Sequence, residues 1–340
     1  MLESPETRDR MSIVFIGTPA FAVPSLRRVV ADGHAVTAVI TQPDRPAGRG
    51  RRPSAPPVKL AAAELGLPVL QPQSLRDPGA LAQVAALQPA VILAVAYGQI
   101  LRKEFLDIPP RGVLNVHPSL LPRWRGASPI ASAILAGDEQ TGVTIMLMDA
   151  GMDTGPILAQ ERDAIGPADT TGSLTDRLSA LGAELLSRTL RGRLAGEIEP
   201  QPQDEARATT CRLIRKQDGA IDWSAPAIDI WRQVRAYNPW PGAYTALEGE
   251  PLHIWEAWPV GAESGEPAGA VVALTAEQRR ALPAGSDPGA FAVQTGRGLL
   301  AVLRIQRAGR RALAPGDFLR GMPGLLGRRL VSSPAGQAKA

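Results

Sequence analysis

The chain of 340 residues has 44% hydrophobic residues, 21% charged residues and a net charge of +4, with a sequence pI of about 9.6. This length suits two domains with real cores, and the basic balance weakly favours a polyanionic partner. One cysteine and three widely spaced histidines argue against a disulfide and against a bound metal. No apolar run reaches the roughly 18 residues of a membrane span, so we expect a cytoplasmic protein without membrane contact.

Strands and helices alternate through the first half of the chain. Apolar runs predict strands at 12–16, 35–40, 68–70, 90–96, 113–117, 141–148 and 157–164, and helical periodicity predicts helices at 24–31, 58–65, 78–87, up to 108, 126–135 and 171–191. This alternation predicts a Rossmann-like α/β domain with a parallel sheet over 11–192. Its first turn, Gly17-Thr18-Pro19, lacks the glycine pattern of a dinucleotide site.

The second half changes character. A polar stretch rich in Pro, Gln, Glu and Asp predicts a linker over 193–212. A helix at 227–236 and five short strands, at 243–247, 252–258, 270–274, 291–294 and 299–306, follow it. Short strands of this kind predict a smaller, OB-like β-barrel domain over 213–331. We expect a disordered leader at 1–10, a disordered tail at 332–340, and a monomer.

An arginine-rich segment lies at 41–57. It reads TQPDRPAGRGRRPSAPP, and its prolines and glycines predict a long loop without a regular element. Asp44 is its one acid, and its basic residues are Arg45, Arg49, Arg51 and Arg52. One interpretation is a solvated, mobile loop. The other is an arm that binds phosphates, because guanidinium groups match phosphate oxygens.

Two polar side chains end the strand that begins at Val113. Asn115 and His117 are two residues apart, so both project from one face of the strand. Pro118 and Pro122 stop the strand and stiffen the loop after it. A carboxamide can donate to a developing oxyanion, and an imidazole can move a proton near neutral pH. On its own, such a pair is more often structural than catalytic.

A glycine-rich turn with two carboxylates follows the strand at 141–148. It contains Asp149 and Asp153 in the stretch Asp149-Ala150-Gly151-Met152-Asp153-Thr154-Gly155. From composition alone this segment is a polar turn.

The stretch Asn115-Val116-His117-Pro118-Ser119-Leu120-Leu121-Pro122 closely resembles the signature of folate-dependent formyltransferases. Arg123-Trp124-Arg125-Gly126-Ala127 resembles its continuation in the branch of that family that formylates methionyl-tRNA. The arginine-rich loop resembles an insertion of the same branch, which contacts the acceptor end of the tRNA. That resemblance gives Arg45, and less directly Arg49, Arg51 and Arg52, a role in binding tRNA.

The resemblance also implies a reaction. A formyl group passes from 10-formyltetrahydrofolate, the co-substrate, to the α-amine of methionyl-initiator-tRNA, and no metal takes part. Asn115 would donate to the oxyanion, His117 would relay the proton, and Asp153 would orient His117 and raise its pKa. The segment Ser119, Leu120, Leu121 and Pro122 matches the folate-binding loop, while Asp149 is left as structural.

Other functions stay open at this point. A glycinamide ribonucleotide or amino-sugar-nucleotide formyltransferase would share Asn115, His117 and Asp153, and so would a formyltetrahydrofolate hydrolase. The arginine-rich loop and the second domain argue against these alternatives. A non-enzymatic RNA-binding protein on the same fold is disfavoured because all three polar residues are present.

Overall fold

The computed structural model describes residues 11–47 and 52–332, so the leader predicted at 1–10 and residues 333–340 of the predicted tail lie outside the described residues. The described chain divides into two compact units. The first holds residues 11–47, 52–129, 140–164 and 175–211, and the second holds 130–139, 165–174 and 212–332. Within the described residues, no helix has the length and apolar character needed to cross a membrane.

A seven-stranded sheet organises the first unit. Its strands are β1 (Ile13–Gly17), β2 (Val36–Ile40), β5 (Val69–Leu70), β6 (Val91–Val95), β7 (Val113–His117), β9 (Gln140–Leu147) and β10 (Ile157–Ala164), in the order β10-β9-β7-β6-β1-β2-β5. The neighbouring strands β7, β6, β1, β2 and β5 run parallel to one another. At the other edge, β9 pairs antiparallel with β7, and β10 pairs antiparallel with β9. The apolar runs of β1 and β6 are buried along their whole length, as expected for central parallel strands.

Helices alternate with these strands along the chain, and one of them packs against the strand that carries the candidate site. They are α1 (Val23–Ala31), α2 (Pro57–Glu64), α3 (Pro78–Ala86), α4 (Lys103–Leu106), α5 (Pro129–Ala136) and α6 (Thr171–Ala195). In α6, a Cβ added to Gly182 would lie 2.9 Å from a methyl group of Val116 on β7. The glycine therefore lets α6 pack closely against β7, whose opposite face carries Asn115 and His117.

The prediction that the arginine-rich segment has no regular element is wrong. Strand β3 (Arg45–Ala47) pairs antiparallel with β4 (Arg52–Ser54), and Pro46 lies opposite Pro53. A proline is tolerated in a two-stranded ribbon where its missing N–H would point away from the partner. The base of the ribbon is held at Asp44, which accepts hydrogen bonds from Lys59 and Gln71.

The helix predicted at 126–135 begins later than expected. Arg125–Gly126 forms a short strand, β8, which pairs parallel with β11 (Thr210–Cys211), and α5 begins at Pro129. Gly126 has a φ of 112°, and a Cβ there would lie 2.4 Å from the carbonyl oxygen of Cys211. The close pairing therefore requires a glycine, and the proline supplies a favoured first helical residue.

A five-stranded antiparallel sheet forms the second unit and confirms the predicted fold class. Its strands are β12 (Ala243–Leu247), β13 (Glu250–Val260), β14 (Val271–Ala273), β15 (Phe291–Gln294) and β16 (Leu299–Arg307), in the order β12-β13-β16-β15-β14. Helices α7 (Ala227–Ala236), α8 (Ala276–Arg280) and α9 (Pro315–Gly321) accompany it. Near the end of the chain, Val331 pairs with Ala246 and Arg329 pairs with Ala270. One segment thus hydrogen-bonds at both sheet edges, which curls the sheet toward an OB-like barrel.

Candidate active site

The carboxyl end of β7 presents Asn115 and His117 on one face, as the period of two predicts. Asn115 lies beside Ala94 of β6 and Met146 of β9, and His117 lies opposite Thr144. The imidazole is almost fully buried, while Asn115 stays partly exposed. The structure assigns the Asn115 carboxamide no hydrogen-bond partner within the described part of the chain, so this amide is available to a bound molecule.

Asp153 meets His117 from the connection between β9 and β10. Its Oδ1 lies 3.7 Å from Nδ1 of His117, and its Oδ2 accepts a hydrogen bond of 2.8 Å from the backbone N–H of Gly126. Asp153 has a φ of 56°, a left-handed conformation that is uncommon outside glycine and that clusters at functional sites. The contact brings together residues that only the family resemblance had connected.

The second ring nitrogen of His117 fixes the tautomer. Nε2 lies 3.1 Å from the backbone carbonyl oxygen of Trp124. A carbonyl oxygen only accepts, so Nε2 carries the proton and Nδ1 of the neutral ring keeps its lone pair. The distance of 3.7 Å from Nδ1 to Asp153 is longer than a hydrogen bond, which leaves that lone pair unengaged.

Burial lowers the pKa of His117 below its ordinary value, because the charged ring is desolvated there. The negative charge of Asp153 and the carbonyl of Trp124 act in the opposite direction but are weaker. Asp153 therefore raises this pKa as expected from the resemblance, yet the net direction is downward. The consequence is an imidazole that is neutral near pH 7 and can accept a proton.

Side chains of β9 and β10 hold the backbone of the segment 119–122 by hydrogen bonds. The hydroxyl of Thr144 donates to the carbonyl oxygen of Ser119 and accepts from the N–H of Leu121, and Gln160 donates to the carbonyl oxygen of Leu121. The side chains of Ser119 and Leu121 are buried, and the Ser119 hydroxyl donates to the carbonyl of Arg123. Leu120 and Pro122 are the members of this segment that keep partial exposure.

Small residues border the site at the end of β6. Ala96 and Gly98 are exposed while Tyr97 between them is buried, and burial raises the pKa of the Tyr97 hydroxyl to about 12. Neither Ala96 nor Gly98 presents bulk to solvent, so a flat molecule can approach the backbone here. Ligands of parallel sheets bind at the carboxyl ends of strands.

Asp149 has the structural role expected of it. Its Oδ1 accepts from the N–H of Gly151 and from the hydroxyl of Thr154, which shapes the turn that leads into Asp153. No group of three or more His, Cys, Asp or Glu side chains suited to a metal occurs among the residues that the structure describes.

Three residues to which the sequence patterns assign no role brace this site. Gln203 donates to the carbonyl oxygens of Asp153 and Gly155, and it accepts from Arg125. Arg125 is buried and makes two further hydrogen bonds to the carboxylate of Glu205. Gln203 and Glu205 lie in the interval predicted as a linker, and the structure counts residues up to 211 with the first unit. No local pattern signals these contacts, because each one is long-range.

Of the four arginines expected to contact tRNA, the structure describes the side chain of Arg45. Arg45 is exposed at the start of the β3–β4 ribbon and donates to the side chain of Gln42. Arg49 and Arg51 lie outside the described residues, and the side chain of Arg52 is not described. Gln42 is itself buried and donates to the carbonyl oxygen of Tyr97, so Arg45 is connected to the end of β6.

Comparison with known proteins gives the family. The formyl transferase model matches residues 11–190, and the model of the formyl transferase C-terminal domain matches residues 213–323. A methionyl-tRNA formyltransferase of Chloroflexus aurantiacus is 50% identical over 312 residues, which cover 92% of this chain and 97% of that protein. One from a Roseiflexus species is 50% identical over 326 residues, covering 96% and 97%.

Solved structures share the fold. The N-formyltransferase of Helicobacter canadensis, in complex with folinic acid and dTDP-3-aminofucose, matches with a TM-score of 0.63 at 17% identity, covering 87% of this chain and 99% of that one. HypX from Aquifex aeolicus, in complex with tetrahydrofolic acid, matches with a TM-score of 0.58 at 18% identity, covering 92% and 47%. These likenesses concern the fold alone. From the sequence relatives, this chain belongs to the formyl transferase family, in the group whose members are named methionyl-tRNA formyltransferases.

Proposed function

We propose that this enzyme transfers the formyl group of 10-formyltetrahydrofolate to the α-amine of methionyl-initiator-tRNA, in the cytoplasm where translation begins. The observation that carries the proposal is the convergence of Asn115, His117 and Asp153 at one strand end. It occurs in a chain that is 50% identical, over nearly its whole length, to relatives of that name.

His117 is the general base in this proposal. Its lone pair at Nδ1 takes the proton that the amine nitrogen loses as it bonds to the formyl carbon. In the resulting imidazolium, Nε2–H donates to the carbonyl of Trp124, and the positive charge faces the carboxylate of Asp153, which lies 3.7 Å from Nδ1. When the bond from that carbon to N10 of the donor breaks, His117 returns the proton to N10, and tetrahydrofolate leaves. General base catalysis of this kind typically contributes about 10²–10⁴ in rate.

Asn115 stabilises the oxygen of the formyl group while it carries negative charge. Its partly exposed carboxamide lies on the same strand face as the base. Loss of one such donor typically costs about 2.7–4 kcal/mol of transition-state stabilisation.

Binding of the formyl donor is proposed at the edge formed by Ala96, Gly98 and the segment Ser119–Pro122. 10-Formyltetrahydrofolate supplies the carbon that is transferred. Because Ser119 and Leu121 are buried, we assign direct contact to Leu120, Pro122 and backbone groups. Ser119 and Leu121 then act by holding the shape of the segment.

Arg45 is proposed to contact the phosphates of the tRNA. Its side chain is exposed, and its ribbon is fixed by the ion pair between Asp44 and Lys59 at 2.8 Å. Arg49, Arg51 and Arg52 belong to the same proposed surface on the strength of the sequence alone.

The test is incubation with labelled 10-formyltetrahydrofolate and methionyl-initiator-tRNA, with methionyl-elongator-tRNA as the control. Label should enter the initiator tRNA preferentially, and His117→Ala or Asp153→Ala should abolish the transfer while the protein stays folded. Transfer to a ribonucleotide or amino-sugar nucleotide instead, or release of formate without any acceptor, would replace the proposal by one of the alternative activities.

A further inference from the structure

Two backbone segments meet His117, and Gln203 connects them. One segment contains Asp153, whose carboxylate faces the ring, and the other contains Trp124, whose carbonyl accepts from the ring. The Gln203 side-chain nitrogen donates to the carbonyl oxygens of Asp153 and Gly155 at 2.8 and 2.7 Å. Its oxygen accepts from Nε of Arg125 at 3.0 Å and from Nη2 at 2.8 Å.

The partners fix the orientation of this amide. A guanidinium only donates and a backbone carbonyl only accepts, so the amide oxygen must face Arg125 and the amide nitrogen must face the turn. The amide oxygen accepts both hydrogen bonds from Arg125, and the amide nitrogen donates one hydrogen bond to each of the two carbonyl oxygens. A residue without both a donor and an acceptor end cannot make this bridge.

Arg125 is held on its other side as well. Its guanidinium forms hydrogen bonds of 2.9 and 2.6 Å to the two carboxylate oxygens of Glu205, and only 7% of its side chain is exposed. A buried arginine needs such partners to offset the loss of hydration. The chain is therefore anchored at β8, directly beside the Gly126 N–H that donates to Asp153.

We propose that Gln203 is a positioning residue of the transfer reaction, which fixes the Asp153 turn against β8 and so sets the contact between Asp153 and His117. The inference rests on the proposed function and deepens it, since Gln203 acts on the reacting groups through Asp153. It also assigns a role in the chemistry to the interval that sequence analysis interpreted as a linker.

Two substitutions test this assignment. Gln203→Met keeps the length of the side chain and removes both ends of the bridge. Gln203→Glu keeps an acceptor for Arg125 but places a carboxylate oxygen against two carbonyl oxygens. Both should lower kcat by about 10- to 100-fold, the size of effect that small misplacements produce, while KM for each substrate stays within about threefold. Gln201→Met is the matched control, because Gln201 is exposed and its side chain donates to the carbonyl oxygen of Glu199, which lies away from the Asp153 turn in the sequence. The kcat of this variant should stay within about twofold of the wild type.

A double-mutant cycle separates positioning from a general loss of structure. In an Asp153→Asn background, Gln203→Met should lower kcat by less than about threefold, because the group that it positions has already lost its charge. A full additional loss in that background, or a kcat within twofold of the wild type for Gln203→Met alone, overturns the proposal. If Gln203→Met does not fold, Gln203→Glu and the surface variant Glu205→Gln, which weakens the hold on Arg125, decide the question by the same criteria.

An NMR titration of the His117 ring gives a readout without any transfer assay. Among the described residues, Asp153 is the charged group that acts on this ring, with Asp149, Arg125 and Glu205 farther out in the same network. Displacing Asp153 should lower the pKa of His117 further in Gln203→Met and leave it unchanged in Gln201→Met. If the wild type transfers no formyl group to tRNA, the proposed function fails, whereas an unchanged His117 titration in Gln203→Met is the result that defeats the positioning role.

Discussion

Asp153→Asn isolates the charge that faces the candidate base. The substitution keeps the size of the side chain and an oxygen for the N–H of Gly126, but it removes the negative charge 3.7 Å from Nδ1 of His117. At that separation, two unit charges interact by about 1 kcal/mol in water and about 4 kcal/mol at an effective dielectric constant near 20. A stabilisation of the imidazolium in this range corresponds to about 5- to 10³-fold in rate.

The pH dependence gives this prediction a second, independent signature. His117 must be neutral to accept a proton, so kcat/KM falls as the pH drops through the pKa of the ring. Asp153 raises that pKa against the larger effect of burial, so removing its charge lowers the pKa further. We therefore expect the acid limb of the profile to move to lower pH in Asp153→Asn, while the plateau falls because the imidazolium has lost its partner.

The assay is steady-state transfer of labelled formyl groups to methionyl-tRNA across the pH range, with thermal unfolding of each variant. Asp107→Asn is the control, because Asp107 is an exposed residue that pairs with Lys103 at the surface; its profile should match the wild type. A plateau equal to that of the wild type, or an acid limb that moves to higher pH, would refute the role of Asp153 as the electrostatic partner of His117.

Three other substitutions test separate parts of the site. Asn115→Leu should lower kcat by about 10²–10³-fold without a loss of fold, as judged by transfer rate and thermal unfolding, because it removes one donor to the oxyanion. Arg45→Ala should raise KM for methionyl-tRNA far more than KM for the formyl donor. The slope of log K for tRNA binding against log salt concentration should also become shallower by about 1, as expected for one lost phosphate contact. Equal losses for both substrates would contradict the contact. Thr144→Val should lower the free energy of unfolding by about 1–3 kcal/mol, because the buried N–H of Leu121 and the carbonyl of Ser119 each lose a hydrogen-bond partner. An unchanged midpoint of denaturant unfolding would contradict this role of Thr144.

The sequence predicted the parts of the molecule that local patterns determine. Helix α7 and strand β12 were predicted with the bounds that the structure gives them, because their hydrophobic periodicity and their flanking breakers agree. The common face of Asn115 and His117 followed from the period of a strand alone. The approach of Asp153 to that face came from the family resemblance, since no local rule places two segments beside each other.

The parts that sequence analysis missed depend on contacts between distant segments. The β3–β4 ribbon forms despite its prolines because pairing across the hairpin, from Arg45 to Ser54, outweighs a weak local preference. The bracing by Gln203 depends on Arg125, which is distant in sequence and buried by the fold. Likewise, the net direction of the His117 pKa shift depends on whether burial or Asp153 has the larger effect, and composition does not determine that balance.

Burial and charge at His117 serve different moments of the proposed reaction. Desolvation keeps the imidazole neutral before transfer, but the same desolvation makes the imidazolium costly once the proton has moved. The cost is limited because the carbonyl of Trp124 accepts from Nε2 and the negative charge of Asp153 lies 3.7 Å from Nδ1. Oδ1 faces the ring because Gly126 engages Oδ2, so the backbone of β8 determines which oxygen the imidazolium meets. In the proposed mechanism, the rate of transfer depends on how firmly β8 and the Asp153 turn are held together, which is a property of their hydrogen bonds rather than of substrate affinity.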